Sequence, residues 1–183
     1  MEQQVTIRRA RTADVAGIRR LVDAYADDRR VLTKDTVTLY EDVQEFWVAV
    51  LGADGGDAPG AGRVVGCGAL HVLWEDLAEV RTVAVDPAMR GRGIGHRIVR
   101  RLLSVAAELG VRRVFCLTFE VAFFARHGFT TLQGAPVSPD VYAELLRSYD
   151  EGVAEFLDLD RVKPNTLGNT RMILYLAGTD EAL

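Results

Sequence analysis

A turn rich in glycine and arginine is the part of the sequence that most directly indicates chemistry. Residues 86–96 have the sequence Asp-Pro-Ala-Met-Arg-Gly-Arg-Gly-Ile-Gly-His, after a β-favouring run that ends at Val85. Glycines let a backbone approach a ligand without Cβ collisions. The N–H groups of such a turn, and of the helix that follows it, converge on an anion. Because Arg90 and Arg92 add positive charge, the turn predicts a phosphate or pyrophosphate site.

Two common phosphate-binding motifs do not fit this turn. A nucleoside-triphosphate P-loop requires Gly-Lys-Ser or Gly-Lys-Thr, and the sequence contains neither. The dinucleotide fingerprint G-x-G-x-x-G fails because His96 stands where its third glycine belongs. The pattern that fits is R-x-x-G-x-G, formed by Arg90, Gly93 and Gly95.

Composition limits the class of protein that carries this turn. The 183 residues are 49% apolar and 26% charged, and this length fits one domain or two very small ones. We predict a single domain over residues 1–183 that buries roughly 70% of its unfolded surface. The net charge of −4 argues against general nucleic-acid binding. Cys67 and Cys116 lack metal-ligand spacing and favour a reduced, cytoplasmic setting without a metal. The N-terminus lacks a secretory pattern, and Phe46–Leu51, the longest apolar run, is too short to cross a membrane.

The hydrophobic patterning predicts the elements that position the turn. Predicted helices cover an N-terminal stretch capped by Thr12 with the apolar face Val15, Ile18, Leu21, Val22 and Tyr25, then Thr36–Glu45, Ile94–Leu109, Val121–Arg126 and Asp140–Tyr149. Predicted strands cover Val5–Arg9, Trp47–Leu51, Arg63–Leu73, Glu79–Val85, Arg113–Phe119, Phe129–Gln133 and Arg171–Leu176, with Gly52–Gly62 as a hairpin tip. Helices interspersed with hairpin strands indicate a mixed α/β sheet rather than a regular doubly wound one.

Several segments together resemble the GCN5-related N-acetyltransferase superfamily, which binds acetyl-coenzyme A. The R-x-x-G-x-G pattern follows a strand ending Val-Ala-Val-Asp-Pro and precedes a long helix, and residues 123–129 resemble the family's short helix ending in Gly-Phe. The resemblance covers about Val5 to Leu176. It implies an α/β fold with a mixed, mostly antiparallel central sheet of about six or seven strands, which is split in a V shape and flanked by helices.

The resemblance also implies an acetyl-CoA site and no metal. Pantetheine would bind the backbone of the strand at Val83, Ala84 and Val85. A backbone N–H of that strand would polarise the thioester carbonyl. The pyrophosphate would bind the turn, at Arg90, Gly91, Arg92, Gly93, Ile94, Gly95 and His96.

Further segments look like the N-acetylglutamate synthases, which transfer acetyl to the α-amine of glutamate in the first step of arginine biosynthesis. The resembling pieces are residues 7–10, 31–34, 65–70 and 79–87. The tail from Phe156 to Arg171 resembles the stand-alone actinobacterial type, which lacks the amino-acid-kinase domain of the longer enzymes. The acceptor would be L-glutamate, and L-glutamine also fits if its distal group is recognised by hydrogen bonds alone.

An acidic acceptor carries two carboxylates and therefore needs cationic partners. The candidates are Arg8, Lys34, Arg81 and Arg171, although Lys34 stands where the family more often has arginine. Cys67 resembles a family position near the acceptor. Strand alternation would place Glu79, Arg81, Val83 and Val85 on one face of the predicted strand.

The acceptor ammonium must lose a proton before it attacks the thioester, and a general base contributes ~10²–10⁴-fold to such a step. Glu79 is the predicted base because it lies on the same strand and face as Arg81. Many superfamily members protonate the leaving thiolate with a tyrosine four residues before the glycine of the Gly-Phe pair. Phe124 occupies that position here, so the sequence identifies no tyrosine acid.

Two other functions remain open at this point. The same fold could acetylate another amine, such as a protein N-terminus, a polyamine or an antibiotic, although a cationic acceptor would favour an acidic pocket. The Phe124 departure also allows a non-catalytic acyl-CoA-binding module that regulates a partner. A homodimer is common in the superfamily, and the apolar segment Val153–Leu159 is a candidate interface.

Overall fold

The computed structural model describes residues 4–26, 35–52, 62–159 and 169–177. Its helices are α1 (Val15–Ala26), α2 (Thr36–Glu41), α3 (Ile94–Glu108), α4 (Val121–Ala125), α5 (Pro139–Leu145) and α6 (Glu151–Phe156). Its strands are β1 (Val5–Arg9), β2 (Phe46–Leu51), β3 (Arg63–Trp74), β4 (Leu77–Val85), β5 (Arg113–Thr118), β6 (Thr130–Thr131) and β7 (Thr170–Tyr175).

These seven strands form one mixed sheet in the order β1-β2-β3-β4-β5-β7-β6. The β1–β2, β2–β3, β5–β7 and β6–β7 pairs are antiparallel, whereas β4 and β5 are parallel. The mostly antiparallel sheet with flanking helices confirms the predicted fold class. The register pairs between β4 and β5 run from Leu77 opposite Arg113 to Glu79 opposite Phe115. The V-shaped split stays a prediction.

The described chain divides into two compact units. Unit 1 contains the residues up to Leu70 together with Val80–Val105, and unit 2 contains His71–Glu79 and the residues from Ala106 onward. The interpretation of residues 1–183 as one acetyltransferase domain stays a prediction.

The core of unit 1 forms around α1, α2 and the strands β2 and β3. Ile18, Leu21 and Val22 recur at helical spacing and are almost fully buried. They pack with alternate residues of β2, of which Phe46 and Val48 are inaccessible to solvent. The predicted first helix is therefore confirmed as an amphipathic helix with its apolar face buried in the core.

The core of unit 2 forms where α6 packs on β5. The ring of Phe156 meets the ring of Phe115 edge-on, with 5.4 Å between the ring centroids. Leu77, Val153 and Ile173 belong to the same buried cluster. This cluster fixes α6 against the amino-terminal end of β4.

The structure corrects three details of the predicted elements. The helix predicted over Thr36–Glu45 ends at Glu41, and Val43–Glu45 is a separate 3₁₀ turn. The helix predicted over Asp140–Tyr149 ends at Leu145. Helix α6 was not predicted, because its six residues are too short for a clear helical period. The β2–β3 hairpin is confirmed by its register, and its tip, residues 53–61, lies outside the described residues.

The predicted dimer segment Val153–Leu159 is mostly core. Val153, Ala154, Phe156 and Leu157 are each no more than 4% exposed within the single chain. Their apolar surface is already covered by unit 2, so the interpretation of this segment as a dimer interface is wrong.

Candidate active site

The turn after β4 is built as an anion site would require. Asp86 caps a short 3₁₀ turn, accepts a hydrogen bond from Ala88 N–H at 3.0 Å and pairs with Arg63. Burial acts to raise the pKa of Asp86, but the bonds from Ala88 and Arg63 outweigh it and hold the pKa below its ordinary value. The carboxylate therefore stays ionised and fixes the start of the turn.

Two glycines of the turn adopt backbone conformations that other residues rarely adopt. Gly91 has φ +77° and Gly93 has φ +71°, and a Cβ at either position would meet nothing within 4 Å. Glycine is therefore needed for backbone direction rather than for space. The helix α3 begins directly afterwards, and its first N–H groups lack carbonyl partners within the helix. The geometry fits a phosphate group, as the sequence predicts.

Tyr25, on α1, supports this turn, although the helical pattern predicts it only as part of an apolar face. Its hydroxyl donates to the carbonyl oxygen of Val85 at 2.5 Å and accepts from Arg90 Nε at 3.3 Å. The Arg90 guanidinium also lies over the Tyr25 ring, 5.2 Å from its centroid. Tyr25 thus ties the end of β4 to Arg90.

Two glycines of β3 allow α3 to approach the sheet closely. A Cβ at Gly68 would lie 2.7 Å from Ile98, and one at Gly66 would lie 2.9 Å from the same side chain. Real Cβ atoms do not make such contacts, so these glycines set the position of α3. The position of the helix in turn fixes the turn that precedes it.

β4 is strained at Thr82, whose φ is +56°. Positive φ in a β-branched residue is a genuine outlier, and such strain is concentrated at functional sites. Beyond Thr82, Val83 faces Gly68 and the α3 side chains, whereas Ala84 joins the cluster around α1, so these two neighbours lie on opposite faces of β4. The prediction that Glu79, Arg81, Val83 and Val85 share one face assumes unbroken alternation through Thr82, and it stays a prediction.

Cys67 lies beside this strained position. Its buried thiol donates to the carbonyl oxygen of Thr82, with 3.5 Å between sulfur and oxygen. Burial raises the pKa of the thiol to about 12. Cys67 is therefore a neutral donor that supports the β4 backbone and does not act as a thiolate.

Arg81 is the cation of unit 1 that remains the best candidate for an acidic acceptor. Its side chain is only 12% exposed, and its Nη2 lies 3.4 Å from Glu45 Oε2 and 3.8 Å from Asp42 Oδ2. Both distances are long for optimal ion pairs, and an arginine guanidinium can pair with a carboxylate through two parallel hydrogen bonds.

The other predicted acceptor residues of unit 1 differ from Arg81. Arg8 makes a bidentate pair with Asp14, at 2.7 and 2.9 Å, and Asp14 also accepts from Arg11 N–H. Burial raises the pKa of Asp14, but Arg8 and Arg11 outweigh it and keep the pKa low. This arrangement favours a structural role for Arg8, which fixes the entry to α1. Lys34 lies outside the described residues.

The proposed base, Glu79, lies in a buried setting that we call the Glu79 pocket: Glu79, His71, Asp150 and Gly152, all in unit 2. Glu79 is 4% exposed, and its carboxylate lies against Gly152 at the start of α6. Asp150 caps α6 by accepting from Val153 N–H at 3.1 Å, and His71 Nε2 lies 3.6 Å from its carboxylate.

Arg171 is held by main-chain carbonyl groups. One of its terminal nitrogens donates to Gly134 at 2.8 Å and to Phe156. Its Nε is buried and makes no hydrogen bond with the described residues. Burial lowers the pKa of Arg171 against the opposing effect of Asp158 and Glu155. These bonds support a role in holding α6, beside the predicted acceptor contact.

Phe124 packs in the interior of unit 2. It is 6% exposed and makes edge-on contacts with Phe123 and Phe129, with centroid distances of 5.1 and 5.4 Å. The position that often holds a tyrosine in the superfamily is thus an apolar packing position here. A phenylalanine side chain cannot donate a proton, so Phe124 supplies no general acid.

Comparison with known proteins identifies the family. Residues 18–129 match the Acetyltransferase (GNAT) family, which is more than half of the chain and takes in parts of both units. The chain belongs to this family. This acetyltransferase is therefore an N-acetyltransferase with acetyl-CoA as its acetyl donor.

Relatives of this acetyltransferase include an amino-acid acetyltransferase of Mycobacterium tuberculosis, 63% identical over 171 residues, or 93% of this chain and 94% of the relative. A crystal structure of Rv2747 from the same organism, in complex with CoA and NLQ, is also 63% identical. It superposes with a TM-score of 0.84 over 94% of this chain and 99% of that one. N-acetylglutamate synthase from Neisseria gonorrhoeae, complexed with coenzyme A and N-acetyl-glutamate, shares the fold at 22% identity and a TM-score of 0.70. The aligned region covers 97% of this chain and 36% of the synthase chain.

Among the described residues, none of the helices has the length and apolar character needed to span a membrane. Within the same ranges, His, Cys, Asp and Glu side chains form no group of three that could hold a metal ion.

Proposed function

We propose that this acetyltransferase moves the acetyl group of acetyl-CoA to the α-amine of L-glutamate or L-glutamine, as the first step of arginine biosynthesis. The observation that carries the proposal is 63% identity with an amino-acid acetyltransferase over nearly the whole chain. A relative of equal identity binds CoA and NLQ. The half-buried Arg81, which can pair with a carboxylate, supports an amino acid rather than a cationic amine.

The reaction that we propose is direct attack. The α-ammonium loses a proton to Glu79, and the free amine then attacks the thioester carbonyl. The C–N bond forms, the C–S bond breaks and CoA leaves as a thiolate, which takes up a proton from water or another group. Glu79 is almost fully buried, so the proposed base is largely shielded from bulk water.

The cosubstrate contacts in this proposal come from the main chain of β4 and from the turn. Val83, Ala84 and Val85 bind pantetheine through their backbone. Arg90, Gly91, Arg92, Gly93, Ile94, Gly95 and His96 bind the pyrophosphate. The left-handed glycines and the N-terminus of the 15-residue helix α3 support this assignment, because they direct N–H groups towards an anion.

For the acceptor we propose Arg81 as the principal cation, with Cys67 keeping the adjacent backbone in place. Arg8, Lys34 and Arg171 remain in the proposed set. Their contacts give Arg8 and Arg171 structural roles as well, since both are held by a carboxylate or by carbonyl groups. A cytoplasmic location belongs to the same proposal, because acetyl-CoA and free amino acids are present there.

The experiment that tests the proposal follows CoA thiol release from acetyl-CoA with each standard amino acid, a polyamine and an aminoglycoside. We expect turnover with glutamate or glutamine at a kcat/KM at least tenfold above every other acceptor. Turnover that is fastest with a cationic amine would contradict the acceptor assignment. Binding of acetyl-CoA without turnover of any amine would instead support a regulatory acyl-CoA-binding protein.

A further inference from the structure

The Glu79 carboxylate occupies the space where a side chain at position 152 would begin. A Cβ placed on Gly152 would overlap Glu79 Oε2 and lie 2.9 Å from Glu79 Cδ. Both residues are buried, at the point where β4 meets the first turn of α6. Any residue other than glycine would therefore displace the carboxylate or the helix.

The backbone at Gly152 does not itself require glycine. Gly152 lies within α6, whose backbone is an ordinary right-handed helix, and it is absent from the residues with positive φ. Glycine is among the least favourable residues inside a helix, and alanine is the most favourable. The helix thus contains an unfavourable residue at a position that lies against Glu79.

Several contacts keep the start of α6 in place against Glu79. Asp150 caps the helix through Val153 N–H, and His71 on β3 pairs with the same carboxylate. Further along the helix, Phe156 is fully buried against Phe115 of β5. Because α6 is fixed at both ends, Glu79 is the more movable partner in any overlap with position 152.

We propose that Gly152 is a positioning residue for the reaction: its missing side chain sets the location of the Glu79 carboxylate. The inference rests on the proposed function, in which Glu79 takes the proton of the acceptor. Gly152 acts only through Glu79, so its effect belongs to the chemical step and not to acetyl-CoA binding.

The direct test is Gly152→Ala. We expect kcat with the preferred amino acid to fall at least tenfold, whereas the KM for acetyl-CoA stays within twofold. Far-UV circular dichroism and thermal unfolding check the fold, and alanine favours the helix itself. A crystal structure of the variant should show the Glu79 carboxylate displaced by more than 1 Å, independently of any activity.

The double variant Glu79→Asp with Gly152→Ala distinguishes positioning from general damage. The shorter aspartate makes room for the new methyl group, so the loss in the double variant should be at least fivefold smaller than the product of the two single losses. Multiplicative losses, or a Gly152→Ala enzyme with wild-type kcat, would contradict the inference.

Gly17→Ala is a matched control in a different helix. A Cβ at Gly17, in α1, would lie 2.8 Å from Val64 Cβ, so this change also creates an overlap, but with an apolar side chain. We expect a lower Tm and an unchanged kcat. Failure of the wild-type enzyme to acetylate any amino acid would contradict the proposed function. A displaced carboxylate in the Gly152→Ala crystal structure would still support the positioning, and an undisplaced one would contradict it.

Discussion

The glycine turn at residues 86–96 and the Glu79 pocket are built in opposite ways. The turn consists of consecutive residues, it is largely exposed, and its expected ligand contacts are main-chain N–H groups. The pocket combines β3, β4 and α6, elements that are far apart in the chain, around one buried carboxylate. Changes in the turn should therefore affect cosubstrate binding, and changes in the pocket should affect the chemical step.

The largest effect is expected for Glu79→Gln, which keeps the shape of the side chain and removes its basicity. We expect kcat to fall ~10²–10⁴-fold, the range for loss of a general base, with acetyl-CoA affinity unchanged in calorimetry. Glu75→Gln is the matched control, because Glu75 is exposed in the turn between β3 and β4. A Glu79→Gln enzyme that keeps more than a third of its activity would remove Glu79 from the mechanism.

The opposite behaviour is expected for Gly93→Val. Valine at φ +71° is strained by roughly 1–3 kcal/mol. Relief of this strain turns the N–H groups away from the pyrophosphate. We expect acetyl-CoA to bind on the order of 10- to 100-fold more weakly in calorimetry.

Gly110→Val provides the control for this change. Gly110 also has positive φ and an open Cβ position, but it follows the C-terminal end of α3. The Gly110→Val variant should therefore lose stability and keep the acetyl-CoA affinity of the wild type. Equal acetyl-CoA affinities in the wild type, Gly93→Val and Gly110→Val would contradict the pyrophosphate assignment.

The same contrast explains what could be predicted from the sequence. The turn was predicted because its residues are consecutive and their types are unusual. The long strands and α3 were predicted because their apolar residues repeat over several turns or pairs. Strand ends and α2 were less accurate, since a 3₁₀ turn such as Val43–Glu45 continues the helical pattern for only three residues.

The Glu79 pocket could not be predicted in the same way. Gly152 appears in the sequence as an ordinary glycine between Glu151 and Val153, and only the fold brings it to Glu79. Thr82 carries no signal of its left-handed backbone, because threonine is a normal strand residue. Tyr25 was predicted on an apolar helix face, and its hydroxyl contacts depend on where β4 ends.

A third prediction concerns another buried carboxylate of α6. Burial raises the pKa of Glu155 to about 7, against the opposing effect of Arg171, and Asp158 and Glu151 raise it further. The folded protein therefore keeps a proton that the unfolded chain releases above about pH 4.5. The stability that this proton provides is present below pH 4.5 and is lost as the pH rises towards 7, at no more than about 1.4 kcal/mol per pH unit.

Urea unfolding of the Glu155→Gln variant at pH 5 and pH 7 tests this dependence. The glutamine cannot ionise, so we expect the variant to lose less stability over this interval than the wild type. Glu144→Gln, on the exposed face of α5, should retain the wild-type dependence. If the free energy of unfolding changes equally between pH 5 and pH 7 in Glu155→Gln and in the wild type, Glu155 is ionised in the folded protein over this whole interval.

The smallest effect is expected at Arg81, which lies on β4 between the pocket and the turn in sequence. Arg81→Ala should raise the KM for the amino-acid acceptor about tenfold, a loss of roughly 1.4 kcal/mol, and leave the KM for acetyl-CoA within twofold. Arg113→Ala is the control, since it removes another arginine that pairs with a carboxylate, Asp76, and that the proposed acceptor set does not include. Steady-state kinetics in both substrates measure the difference.

Asp42→Asn separates acceptor binding by Arg81 from a purely structural role. Asp42 partly neutralises the guanidinium, so its removal leaves more positive charge for an acceptor carboxylate and should lower the acceptor KM. If Arg81 only held the 3₁₀ turn beside α2, both variants would loosen the same contact and shift the acceptor KM in the same direction. A higher acceptor KM in Arg81→Ala together with a lower one in Asp42→Asn is expected only when the Arg81 guanidinium contacts the acceptor itself.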